Sequence, residues 1–467
     1  MTFNSVSSPR VVCRRLTPLA VALAVAALSA CSDSDSDGAA SSVVDDSYAF
    51  ATSGSVSVPA SKGVLSNDGA DFSSVAIESG LTSGSTLSLL SDGSFTYSPA
   101  SGVSEESFVY SAVDEDGNRE QGTVTLYVVN GTSACSEINV NSSSVSLSLA
   151  PGGVSADLGL SFSLSAQPEK GTVSGLSETT GQATFAYSGG ARGADAIGVT
   201  VSDEFGNTLS YEHELGLYPV RIMPLGDSIT QGINGEDSSG NPTPTSVADR
   251  VGYREYLYDL LLEDGYSFDF VGGESAGSNA FSDVEHEGHP GFTDYELAGE
   301  SDPDCGEGTS QDCNSDENGG FNASQDGLYK WLAANGADVL LIHAGTNNVR
   351  FRTTADGLER LLDELDGWES DNWSAHAFVA KIIDKNKAAD DHENVGYYNA
   401  NVETLVNSRI SSGDDLTLVD IYSAVGTATS TVLSSDGTHP TAAGYKLMAD
   451  GWKEAIDENP LLLGKCN

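Results

Sequence analysis

Four short runs in this sequence hold residues that together could move an acyl group. Pro224-Leu225-Gly226-Asp227-Ser228-Ile229-Thr230-Gln231-Gly232 comes after an apolar run containing Tyr218, Val220, Ile222 and Met223. A serine at such a strand end stands at the rim of a sheet, and the backbone N–H groups after it lack partners and can hold an oxyanion. Gly-Asp-Ser is equally at home in an ordinary turn, so the weight of Ser228 depends on residues far downstream. Asp436-Gly437-Thr438-His439-Pro440 sets an aspartate and a histidine three apart on one loop. There the carboxylate can fix the imidazole tautomer while the other ring nitrogen faces the serine. Gly345-Thr346-Asn347-Asn348 comes after an apolar run, and the Asn347 amide can donate to a developing oxyanion. Glu285-His286-Glu287-Gly288-His289-Pro290-Gly291 ends in a glycine, whose N–H can approach a reacting group closely.

The elements around these runs alternate in the manner of an α/β domain. Ile222–Leu225, Phe268–Val271, Val339–Ile342, Ala377–Ile382 and Leu416–Ile421 read as strands. Tyr253–Leu262, Leu328–Leu332, Leu358–Leu365, Val402–Ile410 and Ala442–Ile456 have helical spacing. The expectation is a three-layer α/β domain with a mostly parallel sheet over 218–467, where sites form at the carboxyl ends of strands. Upstream, 45–131 and 132–217 alternate apolar and polar residues between turn signals, the pattern of all-β sandwiches. The two segments echo each other. Gly93-Ser-Phe95-Thr-Tyr97-Ser98 is matched by Ala183-Thr-Phe185-Ala-Tyr187-Ser188, and Val113 to Asn118 by Val201 to Asn207. They read as two copies of one module.

The ordered blocks Gly226-Asp227-Ser228-Ile229, Gly291, Gly345-Thr346-Asn347 and Asp436-xx-His439 resemble those of the SGNH (GDSL-type) hydrolases. Arg221 to Gly232, Gly252-Tyr253-Arg254, Phe268 to Gly272, His286 to Phe292 and Ser435 to Pro440 are similar to the carbohydrate esterase family three acetylxylan esterases. That resemblance implies deacetylation of a polysaccharide without a cofactor, through an acyl-enzyme. Ser228 would be the nucleophile, His439 the base and Asp436 its orienter. The Ser228 N–H, the Gly291 N–H and the Asn347 side chain would form the oxyanion hole. Asn348 departs from the family's usual aspartate, a position of loop support, and 302–322 is an insertion. Ala49-Phe50, Val64 to Asp68 and Gly93 to Tyr97 look like the cadherin-like Ig modules of bacterial surface proteins. For both modules a spacer role is favoured over glycan or partner binding.

Arg14-Arg15, the apolar run Leu16 to Ala30 and Leu28-Ser29-Ala30-Cys31 resemble a bacterial lipoprotein signal. The expected product is cleaved before Cys31, lipidated on its thiol, tethered through 31–44 and passed to the outer membrane of a Gram-negative cell. Six cysteines are present. With Cys13 and Cys31 set aside, Cys135, Cys305, Cys313 and Cys466 allow three pairings in an oxidising compartment. Cys305–Cys313 and Cys135–Cys466 are favoured. A formal charge of −47 repels nucleic acid and anionic membranes.

Other residues invite competing readings. Gly273-Glu274-Ser275-Ala276-Gly277 fits a nucleophile elbow, but Ser278 to Asp283 lacks helical spacing, so Ser275 reads as a loop serine. His343 reads as a core histidine, and His286 and His289 as structuring their loop. Asn314 to Gln325 resembles part of a calcium loop but lacks the closing glutamate. Asp68, Asp114 and Asp116 are the other calcium candidates. Solvated acidic turns are favoured in both places. Tyr253, Trp331, Trp368 and Trp373 are candidates for sugar stacking, Trp331 less so because it has core spacing. A lipase-like or lysophospholipase-like esterase and a non-catalytic adhesin are the alternatives to the acetyl esterase.

Overall fold

The computed structural model describes residues 42–466 other than 53, 70, 130, 132–133, 152–157 and 305–320. Cys31, Cys305, Cys313 and the start of the Asn314–Gln325 run lie outside the described residues. Among the described residues no helix is long and apolar enough to cross a membrane.

The repeat seen in the sequence is a repeat of topology. In the first module one sheet runs Asp46–Phe50, Arg119–Val128, Glu105–Asp114, Phe72–Ser79, and the other runs Val56–Val58, Phe95–Ser98, Thr86–Leu89. In the second, Cys135–Asn139, Thr208–Tyr218, Gly193–Ser202 and Ser161–Ala166 form the first sheet, and Val145–Ser148, Gln182–Tyr187 and Gly171–Ser174 the other. In each module the first strand pairs parallel with the last. Alternation fills both cores: Val124, Leu126 and Val128 point inward from one strand, Tyr211, Leu215 and Leu217 from its counterpart.

The C-terminal domain is built on a parallel sheet. Its order is Glu285–Gly288, Val220–Gly226, Val339–His343, His376–Ala380, Leu416–Val419, with the antiparallel Glu274–Ser275 at one edge. Phe268–Phe270 pairs with the first half of Val220–Gly226, and Glu285–Gly288 with its end. The continuous apolar runs are explained by burial on two faces. Met223, Leu225, Leu340 and Ile342 join one core with Trp331, Leu361, Trp368 and Tyr398. Val220, Ile222, Val339 and Leu341 join another with Leu257, Met448 and Trp452. Helices Leu328–Asn335, Asp356–Asp371 and Asp391–Ser412 therefore cover one face, and Arg254–Glu263 and Ala442–Asp457 the other. The sheet and two helical layers expected from the sequence are present.

The second module is joined to the C-terminal domain by backbone and side-chain contacts. Its last strand leads through Pro219 directly into Val220–Gly226. Added Cβ atoms at Gly193 and Gly216 would lie 2.4 Å from the Leu462 carbonyl and 2.3 Å from that of Gly464, so backbone meets backbone there. Arg221 holds Asp338 through Nε (2.9 Å) and a terminal nitrogen (2.6 Å), and the same carboxylate accepts from the Arg192 N–H of the second module (2.9 Å). Arg221 also donates to the Gly190 carbonyl (3.0 Å) and lies 4.7 Å over the Trp373 ring. A Cys135–Cys466 disulfide ties the start of the module to the far end of the chain. The first module touches the second through Ala51 N–H to Asp203 (3.0 Å), the Lys62–Glu204 pair (2.5 Å) and Phe205 against Phe50 (5.5 Å).

The Asp338 side chain is fully buried, and its removal leaves a part-buried guanidinium without its carboxylate and two backbone N–H groups without this acceptor. Asp338→Ala is expected to cost about 3–5 kcal/mol of unfolding free energy in urea; a loss under about 1 kcal/mol would show that the junction does not depend on this pair.

Candidate active site

Strand register brings the motif runs together. Gly226 stands opposite Gly288 on one side and His343 on the other. A Cβ at 226 would lie 2.4 Å from the His343 carbonyl oxygen, so only glycine allows this approach. Glu285–Gly288 has no strand-like pattern in the sequence, yet it is a strand, concealed because His286 and Glu287 are polar and buried.

Beyond Gly226 the chain turns into a one-turn helix, Ser228–Gln231. The Asp227 carboxylate caps it by accepting from the Ile229 N–H (2.9 Å), and Gly232, at φ +101°, closes it. Ser228 occupies the first helical position, whose N–H has no intrahelical acceptor. Its Oγ lies 2.8 Å from His439 Nε2, and His439 Nδ1 lies 2.7 Å from Asp436 Oδ2. The other carboxylate oxygen of Asp436 accepts from Ser434 Oγ (2.7 Å) and from the N–H groups of Thr438 (2.9 Å) and His439 (3.0 Å). Burial alone would raise the Asp436 carboxyl, but the His439 side chain and these N–H donors outweigh it and hold it well below the usual carboxylate range. Asp436 is therefore ionised at neutral pH and well into the acid range. The stability this ionisation contributes is present above the ordinary aspartate range and is lost only as pH falls through the depressed value.

The oxyanion-hole candidates converge on the same place. His289-Pro290-Gly291-Phe292 is a tight turn, with Phe292 N–H donating to the His289 carbonyl (3.2 Å) and Gly291 at φ +85°. Proline second and a left-handed glycine third are the requirements of a type II turn. Asn347 Nδ2 donates to the Phe292 carbonyl at 2.8 Å. One amide hydrogen thus anchors Asn347 to the Gly291 turn, and the second remains to be donated. Asn348 has a specific role: its Nδ2 donates to the buried Asp294 carboxylate (3.2 Å), where an aspartate would set two carboxylates face to face.

Sequence reasoning misses the supports. Arg254, wholly buried, donates to the carbonyls of Thr230, Gln231, Arg250, Ala276 and Val284. Burial pulls its guanidinium down to about 10. Its place in Gly252-Tyr253-Arg254 is visible in the sequence; its inward direction is not. Ser434 and Lys385 carry no sequence signal.

The remaining candidates fall elsewhere. Ser275 is exposed at the end of an edge strand, with no helix after it. His343 is buried and accepts from the Ile383 N–H (3.3 Å). His286 accepts from the Gly288 N–H (2.9 Å), and burial pushes its imidazole well below its ordinary value. His289 pairs with Glu287 (2.9 Å) and stacks on Trp331 at 4.3 Å. Tyr253 and Trp368 are core residues, and Trp373 lies under Arg221, so none of these three offers the sugar-stacking face expected of them. Asp114 accepts from Asn118, and Asp68 from Val44 and Tyr110. No group of three or more metal-type ligands occurs among the described residues.

A serine hydroxyl in contact with an imidazole, above the carboxyl edge of a parallel sheet, is the arrangement used by hydrolases that work through a serine ester. Residues 222–452 match the GDSL-like Lipase/Acylhydrolase family, and residues 39–127 match the Bacterial Ig domain. The chain thus carries a GDSL-type hydrolase domain behind an Ig-type module. A multidomain esterase of Ruminococcus flavefaciens is 28% identical over 252 residues, which are 51% of this chain and 28% of that protein's length. Among solved structures, the Clostridium thermocellum family 3 carbohydrate esterase is 25% identical, covering 53% of this chain and 99% of its own, with a TM-score of 0.40. A carbohydrate esterase family 3 protein from Talaromyces cellulolyticus is 20% identical, covering 53% and 100%, with a TM-score of 0.37.

Replacing each serine separately discriminates the two nucleophile candidates. Ser228→Ala is expected to lower kcat on p-nitrophenyl acetate by about 10³-fold or more, and Ser275→Ala by less than about twofold. The reverse pattern would transfer the role to Ser275.

Proposed function

We propose that this protein is a serine esterase that removes short acyl groups, acetyl above all, from a polysaccharide such as xylan. The observation that carries the reading is the continuous contact from Ser228 Oγ through His439 to Asp436, beside the anchored Asn347 amide. Ser228 Oγ attacks the ester carbonyl carbon as its proton passes to His439 Nε2. The carbonyl oxygen becomes negative between the Ser228 and Gly291 N–H groups and the Asn347 side chain. Asp436, held ionised, stabilises the imidazolium. The bond to the sugar oxygen then breaks, and His439 returns the proton to that oxygen. Water repeats the sequence on the acyl-serine: its proton goes to His439, the serine ester breaks, Ser228 regains a proton and the acid departs. Each step draws on side chains and backbone alone.

Two things support a carbohydrate ester over a lipid. The sequence words around each block are similar to family three carbohydrate esterases. The neighbouring loop is polar, with Glu236, Asp237, Ser239 and Asn241 at its tip and a Glu236–Lys387 pair at 3.4 Å. Acetate release from acetylated xylan should exceed hydrolysis of long-chain p-nitrophenyl esters by about tenfold or more in kcat/KM. Preference for long chains would favour a lipase-like enzyme, and no turnover on any ester would favour an adhesin.

We further propose export and lipid attachment at Cys31, which would hold the enzyme at the outer membrane. Labelled palmitate should enter the expressed full-length chain and be lost in Cys31→Ser; labelling that persists in the variant would refute the anchor.

A further inference from the structure

Resting on the esterase reading above, we propose that Lys385 is a positioning residue whose buried ammonium fixes the Asn347 loop in the geometry that receives the oxyanion. Lys385 follows the His376–Ala380 strand after the short link Lys381-Ile382-Ile383-Asp384 and is only 4% exposed. Its Nζ donates to the Thr346 carbonyl at 2.8 Å. That carbonyl belongs to the peptide leading into Asn347. Because the peptide is planar, fixing its oxygen fixes the Asn347 N–H and the position of the Cα that carries the side chain. A charged donor in a dry setting makes a stronger bond than a neutral one, so the loop is held firmly.

The flanking residues extend the same tie. Asn386 N–H donates to the Gly437 carbonyl at 2.9 Å, between Asp436 and His439. Gly437 has φ +71°, and an added Cβ would lie 2.5 Å from Asn386 Oδ1. Asp384 anchors the other end, accepting from the Lys385 N–H (2.9 Å), His392 Nδ1 (2.9 Å) and the Ala428 N–H (2.9 Å). Three consecutive residues thus link the oxyanion loop, the Asp436–His439 loop and the segment at Ala428. Within this trio Lys385 carries the link to Asn347.

The ammonium faces charges from several elements. Burial lowers its proton affinity most. Asp391, at the start of a helix, and Asp227, beside the nucleophile, favour the charged form, while Arg350 and Lys387 oppose it. The folded-state value is depressed, so this ammonium gives up its proton at a lower pH than a free lysine, and the bond loses its charge assistance as pH rises through that value.

Three measurements on the full chain test this. In Lys385→Met, kcat on p-nitrophenyl acetate should fall about 10- to 100-fold with KM changed less than about twofold, because the lost geometry acts on the transition state. Hydrogen exchange of residues 345–352 should quicken by about tenfold in the same variant, whether or not any ester is turned over. In Lys385→Arg, which keeps a donor and cannot deprotonate, kcat should be retained at neutral pH and the alkaline limb displaced upward. Unchanged kcat and unchanged exchange in Lys385→Met overturn the proposal. Should that variant fail to fold, an unmoved alkaline limb in Lys385→Arg overturns it. A wild-type chain inactive on every ester overturns the esterase reading instead, and the exchange rates alone then decide Lys385.

Discussion

The site depends on how closely three backbones approach at the end of the central strand. Gly226 sits between Gly288 and His343 with no room for a Cβ on the His343 side. Because those ends are level, the chain leaving each strand begins its loop at one height above the sheet. Ser228, Gly291 and Asn347 are then two to four residues from a common line. The histidine loop arrives from farther away and is bent into place locally, by Ser434 N–H on the His439 carbonyl and by the Leu433–Pro440 bridge. Covalent order contributes little to this convergence; strand register contributes most of it.

Around the site, three buried charged side chains hold backbone. Arg254 hydrogen-bonds to five carbonyls, two of them from the end of the nucleophile helix. Asp227 caps the other end of that helix, and Lys385 grips the loop opposite. A buried ion satisfied by peptide groups cannot migrate to a better partner without breaking the turn it supports. The geometry at Ser228 is therefore fixed before any substrate arrives, which is the condition for an oxyanion hole to lower a barrier rather than merely bind.

The catalytic residues are legible in the sequence because each stands in a short word whose chemistry is local. Aspartate and histidine three apart can meet on one loop, and His-Pro-Gly-Phe spells a turn. The parallel sheet is legible from Val339-Leu340-Leu341-Ile342, whose unbroken apolarity reflects two covered faces. Glu285–Gly288 is not, since its buried His286 and Glu287 find partners that only the folded chain supplies. Tyr253 and Trp368 mislead for a related reason: residue type announces a stacking surface, whereas position on a helix decides whether it faces water. Arg254 and Lys385 look like surface residues by type, and only the carbonyls around them reveal otherwise. The weld between the second module and the hydrolase domain is hidden too, although the Cys135–Cys466 pairing hints at it.

That disulfide also sets a path for mechanical load. A pull applied between the first module and residue 466 reaches Cys135 and crosses directly to Cys466. The second module and the entire catalytic domain hang as a side loop off this covalent shortcut, so tension along the chain passes them by. A pull applied at the catalytic surface meets a different response. Its force crosses to the second module through contacts such as the Arg192 N–H on Asp338 and Arg221 on the Gly190 carbonyl, and is spread over the junction. Ser228 thus lies off the line of strain in the first case and behind a broad, stiff joint in the second.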